Sequence, residues 1–379
     1  MHEQKIPSAI VGNKLNQWYR LIREFEVSEA EALKLAVKEE LDVMEENQDL
    51  LLYFSLLEFR HELMLSVFLP EGSIEADRSL SELLEQIEAN QQKLTGLLDY
   101  YYYFFRGMYE YRNREIMDAI ASYQKAESML YVVEDKIEKA EFYYKLAEIY
   151  CDLHQTFFSM NYANQAMDIY KQFELYGIRR AECAFIFARN LMRVSQFDKA
   201  VEHLQSVLRQ ADELGKSRLK SASFYYLGKC SAKENKLEEA VSFFQQAAAV
   251  SDAGQTRSFK LKSILGLTHI RFRQGLVQEA AVLFEQGMQL AKRTNNQAAL
   301  AAFQTINGLY IKNDPILVVN AFHELELRKL YAVLEELAWE TAAVYHKREQ
   351  HQDAVFFYNK AIEVQKLMQE NIVFKTAAL

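Results

Sequence analysis

Gly228-Lys229-Cys230-Ser231-Ala232-Lys233-Glu234-Asn235-Lys236-Leu237-Glu238-Glu239-Ala240-Val241-Ser242-Phe243-Phe244-Gln245-Gln246-Ala247 carries a spaced pattern. A small residue is followed after twelve positions by another, then by a bulky residue four later and a small one three beyond. Two helices that cross closely need small side chains at both contact points and a large one in the adjacent groove. The triad recurs as Ala119/Tyr123/Ala126, Ala200/Leu204/Val207, Ala280/Phe284/Gly287 and Ala354/Tyr358/Ala361, and as Ser159/Ala163/Ala166 with an undersized middle member. Its first members stand 40, 41, 40, 40 and 74 residues apart. Gly107, Ala147, Ala188, Thr268 and Ala342 hold the position twelve before the other triads. The long gap has room for a degenerate unit around Asn307-Gly308-Leu309-Tyr310 and Ala321.

This is the helix–turn–helix pattern of tetratricopeptide repeats, with a period nearer 40 than 34 and helices longer by about a turn. Composition agrees. Of 379 residues, half are hydrophobic, while 12 Gly and 3 Pro fall far below ordinary usage. That scarcity argues against sandwiches, barrels and Gly-rich nucleotide folds. The expected class is all-α: an N-terminal three-helix bundle followed by a tetratricopeptide superhelix of about six to seven repeats, whose concave face suits extended peptides or partner helices.

Ahead of the repeats, residues 1–69 read as the three helices. Ile6-Pro7-Ser8 opens the first, which runs to about Phe25. Ser28-Glu29-Ala30-Glu31 has the form of a capping box for the second, and the third runs from Leu50 to Leu69. Pro70-Glu71-Gly72-Ser73 and the acidic stretch to Asp77 read as a linker over 70–77, with the array spanning 78–379.

The net charge of −9 disfavours a generic binder of nucleic acid or anionic membrane. A DNA-binding head is poorly supported, because residues 1–69 hold 7 Lys/Arg against 13 Asp/Glu. Cys151, Cys183 and Cys230 form no CxxC pair and read as reduced thiols of a cytoplasmic protein. No secretory signal and no membrane-length apolar run is expected. Gly215-Lys216-Ser217 lacks the upstream glycine of a phosphate loop, where Gln210 stands. Glu58-x-x-His61 has the spacing of di-iron ligands but no second copy, so His61 reads as structural, and no metal site is expected. The aromatic run Tyr100 to Phe105 reads as inter-helix packing.

Several ordered blocks go beyond repeat constraints: Asn16-Gln17-Trp18-Tyr19, Met44-Glu45-Glu46-Asn47-Gln48-Asp49-Leu50, Tyr53-x-Ser55-Leu56-x-Glu58-Phe59-Arg60-His61, Lys93-Leu94-Thr95-Gly96-Leu97-Leu98, Phe104-Phe105-Arg106-Gly107-Met108-Tyr109-Glu110 and Ile137-Glu138-Lys139-Ala140-Glu141-Phe142. They resemble the Rap proteins of Bacillus, nearly end to end. The resemblance implies a response regulator aspartate phosphatase controlled by a secreted and reimported Phr pentapeptide. Some members dephosphorylate the single-domain regulator of the sporulation phosphorelay. Others sequester the DNA-binding domain of a competence transcription factor without chemistry, which is the alternative reading.

In the phosphatase branch the resemblance makes Gln48 catalytic. Hydrolysis of an acyl phosphate needs a water in line with the leaving oxygen, held by a group that does not repel the phosphoryl anion. A neutral carboxamide suits, while the regulator supplies Mg²⁺ and a lysine, so the chain needs no cofactor of its own. Leu51, Phe59, Leu97 and Tyr176 match family positions that pack on the regulator. Asn47 stands where the family usually has Asp, a change in local hydrogen bonding that leaves Gln48 intact. Glu148, Asp152, Asn190, Arg193 and Tyr226 are the candidates for the peptide groove. There Tyr226 replaces a backbone-gripping Asn, and Arg193 replaces a common acid. The chain is therefore expected to respond weakly to an ordinary basic Phr peptide.

Overall fold

The computed structural model describes residues 5–66, 74–253 and 257–376. They fall into two compact units, the chain dividing between Asp135 and Lys136. The first contains α1 (Ser8–Glu24), α2 (Val27–Leu41), α3 (Gln48–Ser66), α4 (Ile74–Glu88), α5 (Leu97–Arg112) and α6 (Ile116–Ser128). The second contains α7 (Lys136–Asp152), α8 (Thr156–Tyr170), α9 (Gly177–Arg193), α10 (Phe197–Glu213), α11 (Ser217–Lys233) and α12 (Leu237–Ala253). It continues with α13 (Arg257–Arg273), α14 (Val277–Arg293), α15 (Gln297–Ile306), α16 (Pro315–Leu327), α17 (Tyr331–Lys347) and α18 (His351–Thr376). The all-α expectation holds.

In the first unit Val11, Leu15, Trp18 and Ile22 make one fully buried stripe of α1, at the four- and three-residue steps of a helix face. α1 packs on α2 and α3, and α3 on α4 and α5. Pro70 to Ser73 of the expected linker lie outside the described residues, and residues 74–77 open α4 as helix. The run Tyr100 to Phe105 packs as read: Tyr101 stacks at 5.7 Å on Tyr53 and meets Tyr19 edge-on at 5.4 Å.

The capping expectation fails. Ser28 does not cap α2, which starts two residues earlier than such a cap implies, at Val27 behind Glu26 and with no side-chain cap. Phe25 adopts the left-handed conformation (φ 60°), and Glu26 N–H bonds Leu21 O while Phe25 N–H bonds Ile22 O. This tight C-terminal cap of α1 turns the chain so that α2 begins at once.

In the second unit consecutive helices pair, α7 with α8 through α17 with α18, and the pairs stack. The triads sit at the crossings. A Cβ added to Gly228 would lie 2.8 Å from the Phe244 ring, and one on Gly287 only 2.1 Å from Phe303. In the first unit, Gly107 stands in the same relation to Tyr123 at 2.6 Å. The degenerate unit exists: α15 ends in a π turn over Asn307–Ile311, and Gly308 lies beneath Val318 of α16. Glycine scarcity did not prevent tight turns. Arg114, His154, Ser195, Asn235 and Glu349 take the left-handed conformation between paired helices, and Gly275 is the glycine among them.

Candidate functional site

Gln48 is the first residue of α3 and is exposed. Its side chain makes no hydrogen bond to another described residue, so a free carboxamide faces solvent. The backbone that carries it is fixed from both sides. Asn47 Oδ1 accepts the Leu50 N–H at 3.2 Å, a helix N-cap. Upstream, a parallel bridge joins Ile6 to Met44: Ile6 N–H donates to Val43 O at 3.0 Å, and Glu45 N–H to Ile6 O at 2.9 Å. Met44 is buried, which anchors the α2–α3 connection. The bridge has no sequence signal, because it is a pairing of two non-strand residues.

Leu51, one turn on, is 40% exposed, and Leu97 at the start of α5 is 41% exposed. Both are large apolar side chains open to a protein partner. Phe59 is not. It is 1% exposed and packs 5.7 Å from Tyr109, so the expected partner contact is corrected to a core role. The Glu-x-x-His pair is also committed to the fold: Glu58 binds Lys34 at 3.1 Å, and His61 accepts the indole N–H of Trp18 at 2.9 Å. Among the described residues no group of three His, Cys, Asp or Glu could hold a metal ion.

In the second unit Tyr176 is half-buried and stacks on Tyr170 at 5.6 Å. Among the groove candidates, Glu148 pairs with Lys145 at 2.9 Å and Asp152 with Arg189 at 2.5 Å. Tyr226 packs against Tyr225 and Phe185. Asn190 is corrected. It is 1% exposed, and its amide donates to Ser159 Oγ at 2.8 Å and Ile186 O at 2.9 Å, tying α9 to α8 instead of facing a ligand. Arg193 binds Glu335 of α17 at 3.0 Å. Next to it, burial and the nearby Arg193 charge push His154 down to about 3, so this imidazole is neutral.

Residues 5–66 match the family of the response regulator aspartate phosphatase H N-terminal region. Response regulator aspartate phosphatase A of Bacillus subtilis (strain 168) is 41% identical over 368 residues, 97% of each chain. The chain belongs to the Rap family. Response regulator aspartate phosphatase J of the same organism is 43% identical over 97% of this Rap chain and 98% of its own. A crystal structure of a Rap protein complexed with competence and sporulation factor superposes with a TM-score of 0.88 at 42% identity, covering 96% of this chain and 100% of that one.

The sequence reading missed the ion pairs that α17 makes with earlier helices of this Rap chain. Glu335, Glu336 and Glu340 look like a solvated helix face in sequence, and their partners lie up to 142 residues away. No local pattern signals such pairings. Among the described residues no helix is long and apolar enough to cross a membrane.

Proposed function

We propose that this Rap chain is a cytoplasmic phosphatase that docks on a phosphorylated response regulator and hydrolyses its aspartyl phosphate. The observation that carries the reading is Gln48: an exposed, unbonded carboxamide on a capped and bridged helix start, beside exposed Leu51. Leu51 and Leu97 are apolar contacts for the docked regulator, whose own Mg²⁺ and lysine neutralise the phosphoryl oxygens. Gln48 Oε1 accepts a hydrogen bond from the attacking water. The water oxygen bonds to phosphorus, the bond to the aspartyl oxygen breaks, and the aspartate leaves as carboxylate while the water proton passes to the released phosphate. Positioning and charge, not covalent chemistry, supply the rate.

The second unit is the receptor for a short Phr-type peptide, and an ordinary basic one binds it weakly. Arg193 presents a cation already held by Glu335, and Tyr226 presents a ring where a carboxamide would grip the peptide backbone.

Gln48→Ala tests the mechanism. Phosphate loss from the regulator should fall at least a hundredfold, while pull-down of the regulator stays within about threefold, because only a group that acts in the transition state is removed. Undiminished phosphate release by the variant removes Gln48 from the mechanism.

A further inference from the structure

The carboxylates of α17 bridge to cations on two earlier helices of the second unit and to an imidazole on a third. Glu335 Oε1 lies 3.0 Å from Arg193 Nη2 on α9, and Glu336 Oε1 lies 2.5 Å from Lys229 Nζ on α11. Glu340 reaches Lys233 Nζ at 3.5 Å with one oxygen and His269 Nδ1 on α13 at 3.4 Å with the other. Three helices that carry their own packing through the repeat stack are thereby tied to a fourth by side chains alone.

The two sides of this ladder are not equivalent. Each carboxylate has a second means of satisfaction. Glu335 accepts the Trp339 indole N–H at 3.3 Å, Glu340 keeps His269 if Lys233 departs, and the Glu336 side chain is 40% exposed to water. The cations have less: beyond Glu336, Lys229 has the face of the Tyr225 ring at 6.0 Å and the more distant charge of Glu340. Glu335 is the ion-pair partner of Arg193 and Glu336 that of Lys229 among the described residues, and their side chains are only 27% and 22% exposed. Breaking a partly buried pair is costly mainly for the member left without a partner. A ligand that displaces α17 therefore restores the balance only by bringing carboxylates. A ligand bringing ammonium or guanidinium groups adds like charge beside two unpaired cations.

We propose that Arg193 and Lys229 form a binding site for a short anionic peptide carrying two carboxylates, and that Glu335 and Glu336 compete for those cations in cis. The proposal rests on the reading of the second unit as a peptide receptor, and it assigns that receptor a ligand class. The full chain holds the site as a ready-made exchange of one pair of carboxylates for another.

Titration calorimetry of the full chain at low salt, with two end-blocked pentapeptides, tests it. Ala-Asp-Ala-Asp-Ala should bind at least about tenfold tighter than Ala-Lys-Ala-Lys-Ala, a difference well within what two charge-assisted contacts provide. Glu335→Gln with Glu336→Gln keeps the side-chain shapes, removes the competing charges and should raise affinity for the aspartate peptide by about tenfold more. Arg193→Gln with Lys229→Gln should abolish the preference while circular dichroism shows the chain still folded. Equal or tighter binding of the lysine peptide overturns the proposal. So does the absence of binding to both wild type and the Glu335→Gln/Glu336→Gln variant, or an unchanged affinity in that variant. Phosphate release from the regulator, assayed on the same preparations, separates the readings: it tests Gln48 on the first unit and does not depend on which peptide binds.

Discussion

His61 is fully buried in α3, and because its Nδ1 accepts the Trp18 indole N–H at 2.9 Å, its own proton sits on Nε2. Burial, reinforced by the charges of Lys34 and Arg60, lowers its pKa from 6.5 to about 4. The fold thus favours the neutral ring, and the unfolded chain binds the proton more readily between those two values. The sign follows: the contribution is fully present above pH 6.5 and is lost as pH falls through 6.5 towards 4, by up to about 3 kcal/mol. Protonation would also set an imidazolium N–H against the Trp18 donor. Urea unfolding at pH 7 and pH 4.5 checks this against His61→Gln, which keeps an acceptor but does not titrate. Wild type should lose clearly more stability than the variant, and parallel losses would assign the acid sensitivity to other groups. At the same scale, Asn47 shows why one departure from the family leaves the site in place. A cap needs an oxygen acceptor, and a carboxamide has one.

Among the elements, helix crossings explain what could be read in advance. Small–large–small triads lie within one helix and its neighbour, so sequence spacing reports them directly, down to the degenerate α15–α16 pair. Caps were not readable in the same way. Ser28 has capping chemistry, but the left-handed Phe25 had already set where α2 begins. Left-handed turn residues such as His154 and Ser195 carry no glycine signature. Phe59 and Asn190 lie on helices whose positions were read correctly, yet which way each faces depends on neighbours that their own helices do not reveal. The crossing argument makes a paired prediction. Gly287→Ala puts a methyl 2.1 Å from Phe303 Cζ and should destabilise the second unit by about 1–3 kcal/mol. Gly12→Ala on α1 meets Leu50 at an ordinary 3.5 Å and should stabilise by up to about 1 kcal/mol through helix propensity. Shifts of the denaturation midpoint at constant slope measure both. A neutral Gly287→Ala would mean that α14 and α15 do not approach this closely.

Across the whole molecule, the features that sequence could not show are those joining distant parts of the chain. Arg193 and Glu335 are 142 residues apart, and each alone reads as a surface charge. The thiols belong to the same scale, since each rests on a neighbouring repeat. Cys151 on α7, Cys183 on α9 and Cys230 on α11 are at most 4% exposed, and burial raises all three, Cys230 up to about 12. Only the thiolate reacts readily, and here it is both scarce and covered. With an aromatic disulfide reagent at neutral pH, none of the three should label quickly in the native protein. All three should label in guanidinium chloride. In between, if the helices carrying them open together, labelling in mild denaturant should follow one rate for all three, matching the loss of helical signal from this unit. A thiol that reacted ahead of the others would mark its helix as a separately opening segment. One that reacted at once in the native state would show that its helix is not packed between its neighbours as described.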